Sequence, residues 1–205
     1  MSTFEKIRAA FTTNWTTVLV GWNGLGDLCP WPDRWTEYPA LIFGHEICAY
    51  CDEQLAKSFD PIERDMILAL LALDVRTASR EIVRTLLTPL SVLCKGDPAI
   101  ELRKWRLVML EETLEHLPKD ALYGLIALSE FWQSFGFPAD SPHTVQGRGF
   151  KSVGPYEYYE QENLDQLLLR HRTWIEHETL ALQDHMKESS LHEQSSSNAV
   201  PSNHC

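Results

Sequence analysis

At 205 residues, 44% of them hydrophobic and 23% charged, the chain is long enough to bury one full core, and a single domain is expected. Ten glycines, eleven prolines and five cysteines exclude a collagen-like chain, a low-complexity chain and a disulfide scaffold. Eighteen basic residues against twenty-nine acidic ones leave a net charge of −11, which excludes a nucleic-acid binder working by phosphate neutralisation and favours a basic partner.

The first residues, Met1-Ser2-Thr3-Phe4-Glu5-Lys6, show no basic region followed by an apolar run, so no secretory signal is read and a cytoplasmic location is expected. Residues 14–35 are harder to assign. Thr16-Thr17-Val18-Leu19-Val20 is β-branched enough for a strand, but nothing convincing pairs with it, so it reads as a helix end or extended segment feeding a loop. That loop carries Trp22 and Trp31, with Trp35 just beyond, and its aromatics are expected against the core. Over residues 38–57 the pattern of Ile42, Phe43, Ile47, Tyr50, Cys51 and Leu55 predicts a helix.

From residue 60 to 135 the pattern is helical, broken by short connectors. Asp60-Pro61 starts the first of these helices, with Glu63 placed to complete a capping box. Residues 77–93 place Ile82, Val83, Leu86, Leu87 and Leu90 on one face, with Pro89 expected to kink the last turns. Lys95-Gly96 stops that helix and Asp97-Pro98 starts the next, which carries Leu102, Trp105, Met109 and Leu117. Residues 121–135 repeat the pattern. Connectors this short predict an antiparallel multi-helix bundle. The two Asp-Pro starts stand 37 residues apart, which leaves a degenerate helical repeat as the alternative. No apolar run reaches the roughly 18 residues of a membrane span, since Met66 to Leu73 is bounded by Asp65 and Asp74. After an irregular stretch over 136–155, residues 157–186 form a long amphipathic helix, and 187–205 read as a disordered polar tail beyond a mostly helical domain of residues 1–186.

Three groups of side chains invite a chemical reading. His45, Cys48 and Cys51 follow one another at helical spacing and carry zinc-type donors, but a tetrahedral site needs a fourth ligand, which His171 or His143 would have to supply. Cysteines 48 and 51 as small buried fillers are the expected reading, so no cofactor is assigned and a metal-dependent hydrolase or zinc-stabilised protein is the alternative. His171 and Glu178 share one helix seam and read as register-setting polar residues rather than a base and its orienting carboxylate, because no nucleophile pairs with them by spacing. No Gly-x-Ser-x-Gly elbow occurs, and the glycine pairs at 24/26 and 147/149 suit turns rather than phosphate cradles, so no catalytic residue is named. Glu111, Glu112 and Glu115 lie together on one helix, and Glu157, Glu160 and Glu162 crowd the start of another. Either group suits docking to a basic partner, with Trp31, Trp35 and Tyr158 as aromatic anchors.

Asn14-Trp15 followed by Val18-Leu19-Val20-Gly21, then Lys104-Trp105, then Phe131-Trp132-Gln133-Ser134-Phe135-Gly136-Phe137-Pro138 and Asp140-Ser141-Pro142, resembles an uncharacterised bacterial family of small helical proteins described only as a domain of unknown function. The resemblance spans roughly residues 14–146, implies an all-α fold and supplies no catalytic residues. Small acidic helical families of this kind are similar to immunity proteins, which bind and block a toxin. The expected function is therefore stoichiometric binding of a basic protein, with a non-toxin helical adaptor as a further alternative, and with no membrane or nucleic-acid partner.

Overall fold

The structure, a computed structural model, describes residues 1–25, 40–144 and 154–197. Nine helices and no strand occur among the described residues: α1 (Thr3–Ala10), α2 (Trp15–Asn23), α3 (Gly44–Lys57), α4 (Pro61–Ala72), α5 (Arg80–Cys94), α6 (Pro98–Glu115), α7 (Ala121–Ser134), α8 (Pro155–Tyr158) and α9 (Gln161–Ser197). The fold is an all-α, multi-helix one.

The helix starts follow the capping chemistry. Asp60 accepts from the amide of Ile62, Ser79 from Ile82, Asp97 from Ala99 and Asp120 from Tyr123. Glu63 departs from expectation: it accepts from the indole of Trp15 at 2.8 Å and from the hydroxyl of Ser58, so it ties α4 to α2 instead of closing a capping box. The segment read as helix end or extended chain is the helix α2. Asn14 Oδ1 accepts from the Thr17 amide at 3.0 Å and Thr17 Oγ1 from the Asn14 amide at 3.0 Å, and Thr16, Thr17 and Val18 are all buried. Packing on several sides outweighs the modest helix penalty of β-branched residues. At its other end the Arg80 guanidinium donates to the carbonyls of Trp22 and Asn23, a cation on the negative end of a helix, and Gly24 turns the chain at φ 64°.

The topology is not that of a solenoid, in which each repeat touches only its neighbours. α5 and α6, joined by three residues, both lie against α2, and α6 also contacts α1, α7 and α9. α3, α4 and α5 pack in sequence on the outer side. α9 continues to Ser197, so residues 187–197, read as part of a disordered tail, are helical. Lys187 bonds Asp184 at 2.8 Å at the point where the apolar period ends, and extending an existing helix adds one bond per residue ordered.

Trp105 is the centre of the larger core. It is fully buried, stacks on Phe4 at 6.0 Å with rings 10° apart, and donates from Nε1 to the Thr17 carbonyl at 3.0 Å. Gly21 gives it room: a Cβ there would stand 2.3 Å from Trp105 Cζ2. Lys104, next to Trp105 in α6, and Glu101, one turn earlier, are each only 3% exposed. The ammonium donates to both Glu101 oxygens, at 2.8 and 3.0 Å, and to the Thr12 carbonyl at 2.8 Å; Glu101 also accepts from Thr17 Oγ1 at 2.6 Å and Asn14 Nδ2 at 3.2 Å.

Replacing Lys104 by Met leaves the Glu101 carboxylate buried without its cation and is expected to cost about 3–5 kcal/mol in urea unfolding, whereas the double replacement K104M/E101L recovers part of that loss. Equal losses in the single and double variants would show that the pair is not the source of the cost.

Candidate functional site

The carboxylates of α6 meet α1. Thr3 Oγ1 donates to Glu112 at 2.8 Å, and Lys6 Nζ lies 3.2 Å from Glu112 and 3.4 Å from Glu115. Glu112 is therefore tied to α1 rather than standing free on the surface of α6. Glu111 is half-buried, and burial, reinforced by the neighbouring Glu115 and Glu112 charges, pushes its carboxyl above the usual range while Lys6 opposes this. Lys6 thus pairs with two of the three carboxylates, Glu112 and Glu115, and Glu115 remains exposed.

The other expected anchors divide. Tyr158 is 3% exposed, donates from its hydroxyl to the Thr144 carbonyl at 2.9 Å and packs edge-on to Tyr159, so it belongs to the core between α7 and α9 and offers no surface. Its placement at the end of the short α8, against Leu164 and Leu167, is what buries it. Glu160 is exposed. Trp31 and Trp35 lie outside the described residues, as do Cys29 and Cys205.

His45, Cys48 and Cys51 do not converge. His45 is exposed and stacks on Phe43, with ring centroids 5.7 Å apart; Cys51 points into the core, where burial pushes its thiol up to about 12. His45 and Cys48 share only a shallow depression of about 530 Å³ with Asp74 and Arg76, and burial raises the Cys48 thiol as well. No group of three His, Cys, Asp or Glu side chains able to hold a metal occurs among the described residues. The spacing is helical, but one face of α3 looks outward and the other inward.

His171 and His143 meet elsewhere, at the top of α7. His171 is fully buried; its Nε2 accepts from Trp132 Nε1 at 2.7 Å, so the proton sits on Nδ1 and is donated to the Leu167 carbonyl at 2.6 Å. With both ring nitrogens engaged it has no lone pair left for a metal. His143 Nε2 contacts Ser129 Oγ at 2.9 Å, its ring stands 5.8 Å from that of His171, and its Nδ1 has no hydrogen-bond partner among the described residues. Burial, and to a smaller degree His171, pulls His143 down to about 4, and burial also lowers His171. Glu178, the carboxylate expected beside His171, is taken instead by Arg103 at 2.7 and 2.9 Å. Arg106 lies 3.6 Å from Glu178, grips Asp140 with both terminal nitrogens and covers the rings of Trp174 and Trp132 at 5.0 and 5.8 Å. This cluster clamps the loop after α7 to α6 and α9. Ser129 sits inside a helix whose amides are already bonded, so the Ser129–His143 contact lacks the donors an oxyanion needs.

A surface that spacing did not reveal lies between α4 and α5, where an open groove of about 610 Å³ is lined by Met66, Arg84, Thr85, Pro89 and Val92. The regular stripe of α5 marked its buried face, and nothing in the order of residues says that α4 leaves the opposite side uncovered.

A family model described as "Uncharacterized protein conserved in bacteria", DUF2247, matches residues 4–179. No curated protein and no solved structure matches the chain. Among the described residues, no helix is long and apolar enough to cross a membrane.

The two lowered histidines carry a pH signature. Each binds its proton less readily folded than unfolded, where the ordinary value is near 6.5, so the stability they lend is complete above that pH and is lost as the pH falls below it, for His143 down to about 4. Urea midpoints should hold from pH 8 to 7 and drop from pH 6.5 to 4.5, and His143→Gln should flatten that drop. An unchanged slope in the variant would remove His143 as its source.

Proposed function

We propose, of a chain that belongs to the DUF2247 family of bacterial proteins, that it works by stoichiometric protein binding as an immunity-type inhibitor of a basic toxin. The observation that carries this reading is the α6 ridge, where Lys6 pairs with Glu112 and Glu115 while the neighbouring Glu111 has no ion pair among the described residues, in a chain of net charge −11. A cationic surface approaching Glu111 and Glu115 relieves the like-charge repulsion that raises Glu111. The mechanism is occlusion: these carboxylates cover the positive surface with which a toxin meets its own substrate, and the field of the whole chain speeds the encounter. In this reading the protein performs no catalysis, needs no cofactor and acts in the cytoplasm, where its toxin is made.

Co-expression with the product of the adjacent upstream gene tests it. That product should arrest growth alone, be neutralised by this chain and co-elute with it as a complex. The association rate should fall with added salt, and E111K/E115K should slow it about tenfold or more at low ionic strength while leaving the fold intact, since Glu112 keeps its bonds to α1. A harmless neighbour, or an association rate indifferent to both salt and charge reversal, would overturn the proposal.

A further inference from the structure

α3 carries Cys48-Ala49-Tyr50-Cys51, two thiols at the ends of one helical turn. Cys51 is 1% exposed and sits in the core, whereas Cys48 is half-buried: it packs on the edge of that core and also lines the open depression shared with His45, Asp74 and Arg76. The two are near enough for Cys48 to add to the rise of the Cys51 thiol. One thiol is thus reachable from solvent, and the second lies one turn on, facing inward. Residues three apart in an α-helix have Cα atoms about 5 Å apart, inside the roughly 4.4–6.8 Å that a disulfide spans. Their Cβ atoms stand about 5–6 Å apart and a disulfide draws them to roughly 3.5–4.5 Å, so closing the bond tightens the turn by about 1 Å. A bond closed against such strain is readily reduced again, which suits a switch better than a permanent cross-link.

What the turn carries decides the consequence of tightening it. Tyr50, between the two cysteines, is 2% exposed, meets Phe4 of α1 edge-on at 5.9 Å and Trp15 of α2 at 4.9 Å, and donates from its hydroxyl to the Thr13 carbonyl at 3.3 Å. Before the turn, Glu46 accepts from the Ser2 hydroxyl; after it, Glu53 pairs with Arg8, whose guanidinium also lies over the Phe4 and Tyr50 rings. The turn that a disulfide distorts is therefore one that seats α1, and α1 in its turn brings Thr3 and Lys6 to α6.

We propose that Cys48 and Cys51 form a reversible dithiol–disulfide switch, oxidised by a low-molecular-weight disulfide, that loosens the seat of α1. The Cys48 thiolate attacks one sulfur of the small disulfide, whose S–S bond breaks and releases one thiol; the Cys51 sulfur then attacks Cys48 in the mixed disulfide and releases the second. Two protein thiols are oxidised, one small disulfide is reduced to two thiols, and the two cysteine protons leave on them. Burial and then Asp52 raise the Cys48 thiol, with Arg76 opposing and Asp74 adding, so the first step is slow at neutral pH and answers sustained oxidation rather than a brief exposure. The switch does not depend on what the ridge of α6 binds.

The test treats the full folded chain with oxidised glutathione at about pH 8 and reads peptide mass and amide hydrogen exchange. Trypsin releases residues 35–57 as one peptide that holds Cys48 and Cys51 and no other cysteine, and oxidation should leave it two hydrogens lighter. C51A should instead keep one glutathione on Cys48, because the resolving thiol is gone, and C48A should leave the buried Cys51 unmodified. In the oxidised wild type the amides of α1 should exchange about tenfold faster or more while those of α7 keep their rate, and dithiothreitol should restore the slow exchange. The same oxidant should leave α1 exchange in C48A unchanged. A folded chain whose peptide gains neither disulfide nor glutathione, a disulfide that forms only in urea, or an oxidised chain whose α1 exchange is unchanged or rises no more than that of α7 overturns the proposal. Were C51A to fail to fold, the wild-type and C48A readings decide it alone.

Discussion

A carboxylate and an ammonium taken out of water each cost several kcal/mol, and Glu101 and Lys104 are taken out of water together at the centre of this molecule. Their attraction offsets that cost only because the remaining lone pairs and protons are also satisfied. Every one of the extra partners comes from the link between α1 and α2 or the first turn of α2: the Thr12 carbonyl, the Asn14 side-chain amide and the Thr17 hydroxyl. The pair therefore specifies where α1 ends, where α2 begins and how both lie on α6. Trp105, the next residue along α6, then fits under Phe4 and against Gly21 in a geometry already set by polar contacts. Apolar burial supplies most of the stabilisation in such a core, but it is non-directional, and the ion pair is what gives this one a single register.

The second polar cluster plays the same part at the far side of α6. Arg106 joins Asp140 on the loop after α7 to Glu178 on α9, with its guanidinium lying over two tryptophan rings. The Phe-Gly-Phe-Pro segment is part of this device. Gly136 and Phe137 both take positive φ, 70° and 49°, and the Phe137 amide bonds back to the Trp132 carbonyl at 2.9 Å, which ends α7 and turns the chain so that Asp140 and His143 reach inward. The residues that carry the family resemblance thus serve helix termination and core packing, and His171 and His143 are bonded into the same core. The polar side chains buried in this chain thus serve its architecture.

The outer faces follow from the helix order. Because α2 lies between α5 and α6, α5 has one face on α2 and its opposite face bare, and α4, which packs on α3 and α5, cannot cover it. The acidic ridge arises differently, from α1 crossing α6 and bringing Lys6 to Glu112 and Glu115 beside Glu111. One surface offers charge and the other apolar area.

The order of residues by itself determined the all-α class, the Asp-Pro helix starts, the stop at Lys95-Gly96 and the sign of the surface charge, because capping, periodicity and composition are local properties. It also made His171 a buried polar residue in an apolar stripe. Tertiary structure alone decided the rest. α2 is a helix because three of its β-branched residues are buried by elements far along the chain, and Glu63 leaves its cap because Trp15 brings it an indole N–H. Tyr158 is inside and Glu112 is spent on α1 for the same reason: exposure depends on which elements come to lie beside a residue, and spacing along one helix carries no record of the other elements packed against it.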